Sequence, residues 1–183
     1  MDKKVVIEYE RKFLVKEIPK DVILDIRHSN EIEQIYIGSQ KDELCVRIRK
    51  ESKYNDTPNY FIMMKMGELK SHLEWTREIS FNEYCDLLKF QKESITINKT
   101  RYFLQSSTNP NITIELDVFH GNLDGLMIAE VEDITGNPSI IDNYKPEPWF
   151  NTEVTNDHHF YNVNLAYKYK KPHRNFLLNL FGK

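Results

Sequence analysis

The chain predicts an α+β fold, mainly β: an antiparallel structure with a few helices packed outside it. Three observations predict it. Eight segments read as strands, most are separated only by a short turn, and five carry like-charged residues at alternate positions with apolar residues between them. Short connections favour antiparallel pairing, because a parallel crossover needs roughly a dozen residues or more. A charged face alternating with an apolar one is the period-two signature of a half-buried strand.

The first strand is expected over residues 5–15, where Glu8, Glu10 and Lys12 project to one face and Ile7, Tyr9 and Phe13 to the other. Pro19, with a φ suited to a first helical turn, opens an expected helix with Val22, Ile23 and Ile26 on a single face. Strands over residues 31–37, 43–50 and 60–66 follow, the last two divided by the turn sequence Asn55-Asp56-Thr57-Pro58-Asn59. After a strand over residues 72–80, Ser80 and Glu83 have the spacing of a capping box, and Tyr84, Leu87 and Leu88 supply an apolar stripe. Three more strands, over residues 95–104, 112–119 and 127–134, are separated by Asn109-Pro110-Asn111 and Gly121-Asn122-Leu123-Asp124-Gly125. Residues 137–149 hold three prolines and are expected to be irregular. A helix is expected within residues 156–180, interrupted at Pro172.

A length of 183 residues suits one domain with its own core, and 40% apolar with 29% charged residues is ordinary for a soluble protein. The net charge of −3 argues against general nucleic-acid binding, which needs a basic domain. The charge is uneven. Lys168, Lys170, Lys171, Arg174 and Lys183 follow Tyr167 with no acid among them, and removing these five positive charges leaves −8 on the preceding residues. Two cysteines far apart, Cys45 and Cys85, make neither a disulfide framework nor a thiolate zinc site. The N-terminal sequence lacks an uninterrupted apolar stretch and nothing approaches membrane-spanning length, so a cytoplasmic location is expected.

The paired charges carry the functional reading. Glu8/Glu10, Arg47/Arg49, Lys99/Arg101, Glu115/Asp117 and Glu130/Glu132 each stand two apart, Lys12 extends the first pair, and Lys65 interrupts an apolar run. On the opposite faces lie Leu44, Val46 and Ile48; Ile114, Leu116 and Val118; and Ala129 and Val131, which are expected to be buried against helices or another sheet. A sheet with its charged side in water would suffice for any one strand, its ion pairs worth about 0–1 kcal/mol each. For five strands carrying same-sign pairs, a barrel with a charged interior is the more economical account. Arginine forks and lysine ammonium groups grip phosphate oxygens. Facing carboxylates hold Mg²⁺ or Mn²⁺, which bridges an acidic protein to an acidic substrate. A linear polyanion suits such a two-sided site better than a small neutral metabolite.

The residues also resemble a known family. Glu8-Tyr9-Glu10-Arg11-Lys12 is similar to the E-x-E-x-K signature of the CYTH, or triphosphate tunnel metalloenzyme, superfamily. Five further blocks follow in family order: Val46-Arg47-Ile48-Arg49, Lys99-Thr100-Arg101-Tyr102, Glu115-Leu116-Asp117-Val118-Phe119, Ala129-Glu130-Val131-Glu132, and Trp149 with Glu153-Val154-Thr155. The resemblance implies an eight-stranded antiparallel barrel over residues 1–166 whose charged tunnel binds triphosphate compounds with Mg²⁺ or Mn²⁺, followed by a basic tail over residues 167–183. It implies phosphate binding by Lys12, Arg47, Arg49, Lys65, His72, Lys99 and Arg101, and metal binding by Glu8, Glu10, Glu74, Glu115, Asp117, Glu130 and Glu132. Glu8, Glu10, Lys12, Glu130 and Glu132 would carry catalysis, and the activity implied is metal-dependent hydrolysis of a phosphoanhydride bond in tripolyphosphate or another triphosphate. The expected partner is a small-molecule triphosphate or polyphosphate, with neither nucleic acid nor membrane. Nucleotide cyclisation, or a polyphosphate-binding module without catalysis, are the alternatives.

Two positions depart from the pattern. Where close relatives carry R-x-E-x-E on the fifth strand, this chain has His72, Glu74 and Thr76, so one basic contact becomes titratable and one carboxylate becomes a hydroxyl. Phe160 replaces a tyrosine in a Y-x-N-x-x-L-A pattern that keeps Asn162, Leu165 and Ala166. Elsewhere, Cys45 shares the parity of Arg47 and Arg49 and is expected to face the lumen without acting as a nucleophile. His158 and His159 read as solvated or capping residues, and Met63, Met64 and Met66 as ordinary packing. Phe176, Leu177, Leu180 and Phe181 are expected to pack on the body or on a second subunit, as in a homodimer.

Overall fold

The computed structural model describes residues 5–37, 44–53, 56–68, 71–91, 94–133 and 135–168. Its strands are β1 (Val5–Leu14), β2 (His28–Ile37), β3 (Leu44–Lys53), β4 (Asn59–Glu68), β5 (Ser71–Ile79), β6 (Ile97–Gln105), β7 (Ile112–His120) and β8 (Met127–Asp133). They close into one barrel in the order β1-β5-β4-β3-β2-β6-β7-β8, every pair antiparallel. β2 begins three residues earlier than the apolar pattern suggests, because His28, Ser29 and Asn30 are paired with β6 despite being polar.

Closure depends on how β1 divides its partners. Val5 to Tyr9 pair with Trp75 to Ser71 of β5, whereas Glu10 to Leu14 pair with Glu132 to Ile128 of β8. The edge that β5 leaves beyond Tyr9 is taken by residues 151–155. The Leu14 amide donates to the Thr152 carbonyl at 2.9 Å, and the Val154 amide to the Lys12 carbonyl at 2.8 Å. The Lys12 amide in turn donates to Thr155 Oγ1 at 3.1 Å. The backbone on either side of Lys12 is thus hydrogen-bonded, and this half of the strand has no bare edge.

The outward apolar faces are covered on two sides. Phe13, Ile114, Leu116, Ala129 and Val131 pack with Ile141 of α3 (Pro138–Asp142) and with Val22 of α1 (Lys20–Leu24). Ile35, Ile48 and Ile79 pack beneath Tyr84 of α2 (Phe81–Leu88), whose capping box at Ser80 and Glu83 is present as the spacing predicts. Three expectations need correction. Ile23 does not share the buried face of α1, since the helix is only five residues long and Ile23 is 49% exposed. Residues 137–149 are not wholly irregular: Asn137 caps α3, with Pro138 in its first turn, where a missing amide costs nothing. The apolar faces are not all covered either, because Val5, Ile7, Leu44, Met66 and Leu73 stay exposed on the β1, β3, β4 and β5 side.

Inside the barrel, one end is apolar. Leu14, Tyr36, Ile97, Phe119 and Ile128 meet Val154, Phe160 and three residues of α4 (Asn162–Lys168), namely Leu165, Ala166 and Tyr167. The α4 helix therefore runs across the expected boundary at residue 166. Pro172 and the apolar tail residues lie outside the described residues. No helix among the described residues is long and apolar enough to cross a membrane. Leu165 is fully buried in this plug, so Leu165→Ala is expected to cost about 2–5 kcal/mol. Leu24→Ala, at an exposed position, should stay within about 0.5 kcal/mol of the parent. Urea denaturation of both variants checks the assignment, and equal losses would contradict it.

Candidate functional site

Alternation on the closed barrel turns the charged faces inward. They line a cavity of about 310 Å³ whose basic residues are Lys12, Arg47, Arg49, Lys65 and Arg101, and whose carboxylates are Glu8, Glu10, Glu74, Glu115, Glu130 and Glu132, with His72 among them. Two of the residues singled out in the sequence are not in that wall. Lys99 and Asp117 are ion-paired to each other behind it, each with a side chain no more than 1% exposed. Burial, with Arg101 alongside, pushes the Lys99 ammonium down to about 8.

Asp117 nonetheless shapes the cavity through Arg101. Arg101 Nε and Nη2 donate to the two Asp117 oxygens at 2.7 Å each, in the forked geometry that guanidinium and carboxylate share. Arg101 Nη2 also donates to Glu130 Oε2 at 2.7 Å, and Nη1 to Glu115. Lys12 donates to Glu130 and lies 3.0 Å from Glu10 Oε1. Glu130 thus receives two cations. Burial alone would raise it, but Lys12, Arg101 and Lys99 hold its carboxyl well below the ordinary range.

The far wall is organised by β3, β4 and β5. Arg47 Nη2 donates to Glu74 Oε2 at 3.1 Å, and its Nε points at Met63 Sδ at 3.4 Å. Thr76 Oγ1 donates to Glu74 Oε1 at 3.2 Å, so the hydroxyl at that position orients a carboxylate. Met63 is a lumen residue and not general packing, a correction that follows from its register opposite Arg47. His72 Nε2 lies 2.8 Å from Glu8 Oε2, facing carboxylates across the β1–β5 pair. Burial would raise Glu8, yet the His72 hydrogen bond, Lys65 and Arg47 bring it down to about 2.

Three groups remain undercompensated. Burial and the neighbouring Glu115, Glu10, Glu130 and Glu8 push Glu132 well above the ordinary carboxyl range, and it makes no ion pair among the described residues. Burial also raises Glu115, with Arg101 opposing and Glu130 and Asp117 adding to it. Arg49 is held below the usual guanidinium value by burial, Arg47 and Arg101; its Nη1 donates to Glu51 Oε2 at 3.3 Å, but its buried Nε has no hydrogen-bond partner. The lumen therefore holds unmet demand for a cation beside Glu132 and for one more hydrogen-bond acceptor beside Arg49. Oxygen atoms of Glu10, Glu130 and Glu132 lie within 4.8 Å of one another, as do ligand atoms of Glu8, Glu10 and His72. Such carboxylate oxygens fit a hard divalent ion.

Cys45 lines the cavity, and burial raises its thiol, leaving a poor nucleophile. His158 and His159 are exposed, His159 Nδ1 lying 2.7 Å from Asp157 Oδ1. Tyr36 and the C-terminal residues Tyr161, Asn162, Val163 and Tyr167 also line the cavity, and none was singled out as a site residue from the sequence. The Y-x-N-x-x-L-A-like spacing around Asn162 is the available signal, but residues 161–167, outside the strands, carry no strand parity that would place them.

The chain matches no protein-family model. It is 32% identical over 160 residues to the inorganic triphosphatase of Nitrosomonas europaea, covering 87% of this chain and 96% of that one. It is 33% identical over 174 residues to the inorganic triphosphatase of Acetivibrio thermocellus, covering 92% and 97% of the two chains. The solved structure of the inorganic triphosphatase NE1496 superposes with a TM-score of 0.60 at 30% identity, over 87% of this chain and 93% of that one. With a closed eight-stranded barrel, an inward set of paired charges and these relatives, the chain belongs to the CYTH, or triphosphate tunnel metalloenzyme, family.

Proposed function

We propose that this protein hydrolyses a terminal phosphoanhydride bond of inorganic tripolyphosphate, or of another triphosphate compound, with Mg²⁺ or Mn²⁺ bound in its tunnel. The observation that carries the reading is the pairing of unmet demands: Arg49, whose Nη1 reaches Glu51 at 3.3 Å but whose buried Nε has no acceptor, and Glu132, short of a cationic partner, line the same cavity. A metal–polyphosphate complex answers both at once. The names of the relatives support the same substrate class.

In this reading Arg47, Arg49, Lys65 and Arg101 bind the phosphate oxygens and offset charge gathering on the transferred group. Glu10, Glu130 and Glu132 hold the divalent ion, which when bound polarises phosphate oxygens and lowers the barrier to attack by water. Lys12 fixes Glu10 and Glu130, keeping their oxygens aimed into the cavity. The water oxygen bonds to the terminal phosphorus as the bridging P–O bond breaks, releasing orthophosphate and leaving diphosphate. No side-chain nucleophile is needed, consistent with the raised thiol of Cys45.

The test is a phosphate-release assay with tripolyphosphate, thiamine triphosphate and ATP, each with Mg²⁺, Mn²⁺ and Ca²⁺. Glu132→Gln is expected to lower metal-dependent turnover by about 100-fold. The same change removes a carboxylate crowded by four others, so the metal-free melting temperature should hold or rise. Full turnover in this variant would remove Glu132 from the metal-binding set.

Metal-free stability gives a second check. Because Glu8 titrates at about 2 in the folded protein, below its ordinary 4.5, its ionised form stabilises the fold above pH 4.5. That stabilisation is lost as pH falls through 4.5 towards 2, and it amounts to about 3 kcal/mol at most. Glu8→Gln lacks it at every pH. The stability gap between parent and variant, from urea denaturation, should therefore narrow between pH 6 and pH 3. A constant gap would mean that Glu8 is not held ionised by His72 and Lys65.

A further inference from the structure

We propose that His72 is a metal ligand: with Glu8 and Glu10 it forms a nitrogen-containing divalent-cation site, joined through Glu10 to the all-carboxylate site of Glu10, Glu130 and Glu132, and selective for Mn²⁺, Co²⁺ or Zn²⁺ over Mg²⁺. The proposal rests on the reading of the tunnel as a metal–triphosphate site and adds the class of metal to it.

The geometry is that of a coordination edge. His72 Nε2 lies 2.8 Å from Glu8 Oε2 and 4.0 Å from Glu10 Oε1. For metal–ligand bonds of about 2.1 Å, adjacent ligands of an octahedron stand roughly 3.0 Å apart and opposite ones roughly 4.2 Å apart. The two distances from His72 fit these separations within a few tenths of an ångström, and ligand atoms of all three residues lie within 4.8 Å of one another. Lys65 Nζ, 3.6 Å from Glu8 and 3.7 Å from Glu10, occupies the same electrostatic position in the metal-free protein. It lies in the cavity wall, where phosphate oxygens offer it an alternative partner when a cation takes the carboxylates.

The backbone holds the imidazole in place. His72 is in register with Glu8 on β1 and with Gly67 on β4. Gly67 has φ +129°, and a Cβ there would stand 2.9 Å from His72 Cα. Only glycine allows β4 and β5 to approach so closely behind the ligand. The His72 side chain is 4% exposed, so its ring is fixed by packing.

Ligand chemistry gives the selectivity. Mg²⁺ prefers an all-oxygen octahedron and keeps much of its water, whereas imidazole nitrogen strengthens binding of the later divalent ions. The alternative role for His72 is a cation that pairs with Glu8 or with phosphate. Arginine would serve that role as well or better, since guanidinium stays charged, but it has no lone pair to give a metal. His72→Arg therefore separates the two roles.

Metal-free protein, without substrate, is titrated calorimetrically with MgCl₂, MnCl₂ and CoCl₂, and pulsed EPR of substoichiometric Mn²⁺ reads nitrogen coupling. The parent should show imidazole nitrogen coupled to Mn²⁺. His72→Arg should lose that coupling and at least about tenfold in Co²⁺ affinity, while Mg²⁺ affinity changes less than about threefold. His72→Gln gives the same comparison if the arginine variant does not fold. Absence of nitrogen coupling in the parent, or equal Co²⁺ affinity in parent and variant, overturns the proposal. If tripolyphosphate is hydrolysed with Mg²⁺ while coupling is absent, this site fails and the tunnel reading stands. If coupling is present without hydrolysis of any triphosphate, the metal site stands and the hydrolytic reading fails.

Discussion

The chain Lys99–Asp117–Arg101–Glu130–Lys12–Glu10 is the interaction on which the rest of the tunnel depends. It crosses four strands, β6, β7, β8 and β1, and each ionised group in it is buried. Taking charges out of water is costly, so such a chain persists only when every member has partners of opposite sign with good geometry. Arg101 meets this demand with hydrogen bonds to three carboxylates. Removing one partner would leave an uncompensated buried charge, an effect of about 3–5 kcal/mol. The chain thus fixes the pose of the cavity-facing residues at one wall before any ligand arrives.

Closure of the barrel and placement of the site are the same event. Glu10 and Lys12 stand opposite Glu132 and Glu130 only because the second half of β1 pairs with β8. That half is secured on its other edge by residues 151–155, with Thr155 accepting the amide of Lys12. Arg11, on the outer face, reinforces the same contact by a bidentate pairing with Glu153 at 2.9 and 2.7 Å. One residue faces the lumen and its neighbour holds the segment that fastens the strand. A motif that reads as a single signature in the sequence therefore does two separate jobs on two faces.

Strand parity made most of this legible in the sequence, because side-chain direction in a strand is a local property. Glu8, Glu10, Arg47, Arg49, Glu130 and Glu132 all point inward as the alternation predicts. What parity does not contain is height along the barrel axis. Lys99 and Arg101 share a face, yet register places Lys99 opposite Phe119 near the apolar plug and Arg101 opposite Asp117 at the cavity. His72 likewise carries no local sign that it meets Glu8, since that contact is set by how β5 pairs with β1. The helices were legible where a cap and a long stripe coincide, as at Ser80. They failed where a five-residue helix has too few residues to show a period, as at Ile23 and Pro138.

The unequal satisfaction of the lumen charges favours the proposed metal–polyphosphate complex over a bare metal or a bare anion. A divalent ion alone would relieve Glu132 and its neighbouring carboxylates but would add positive charge to a cavity already holding Arg47, Arg49, Lys65 and Arg101. A polyphosphate alone would relieve Arg49 but would face Glu132 and Glu115, both already resisting ionisation among like charges. In the proposed reading each guest would lower the cost of the other, coupling their binding in the thermodynamic sense. Glu10, Glu130 and Glu132 would there hold the metal, and it would polarise the phosphate oxygens. In that reading, selectivity for long anions would need no dedicated recognition loop. It follows from basic residues on β1, β3, β4 and β6 facing one enclosed volume, with the acidic residues of β1, β7 and β8 supplying the opposite charge.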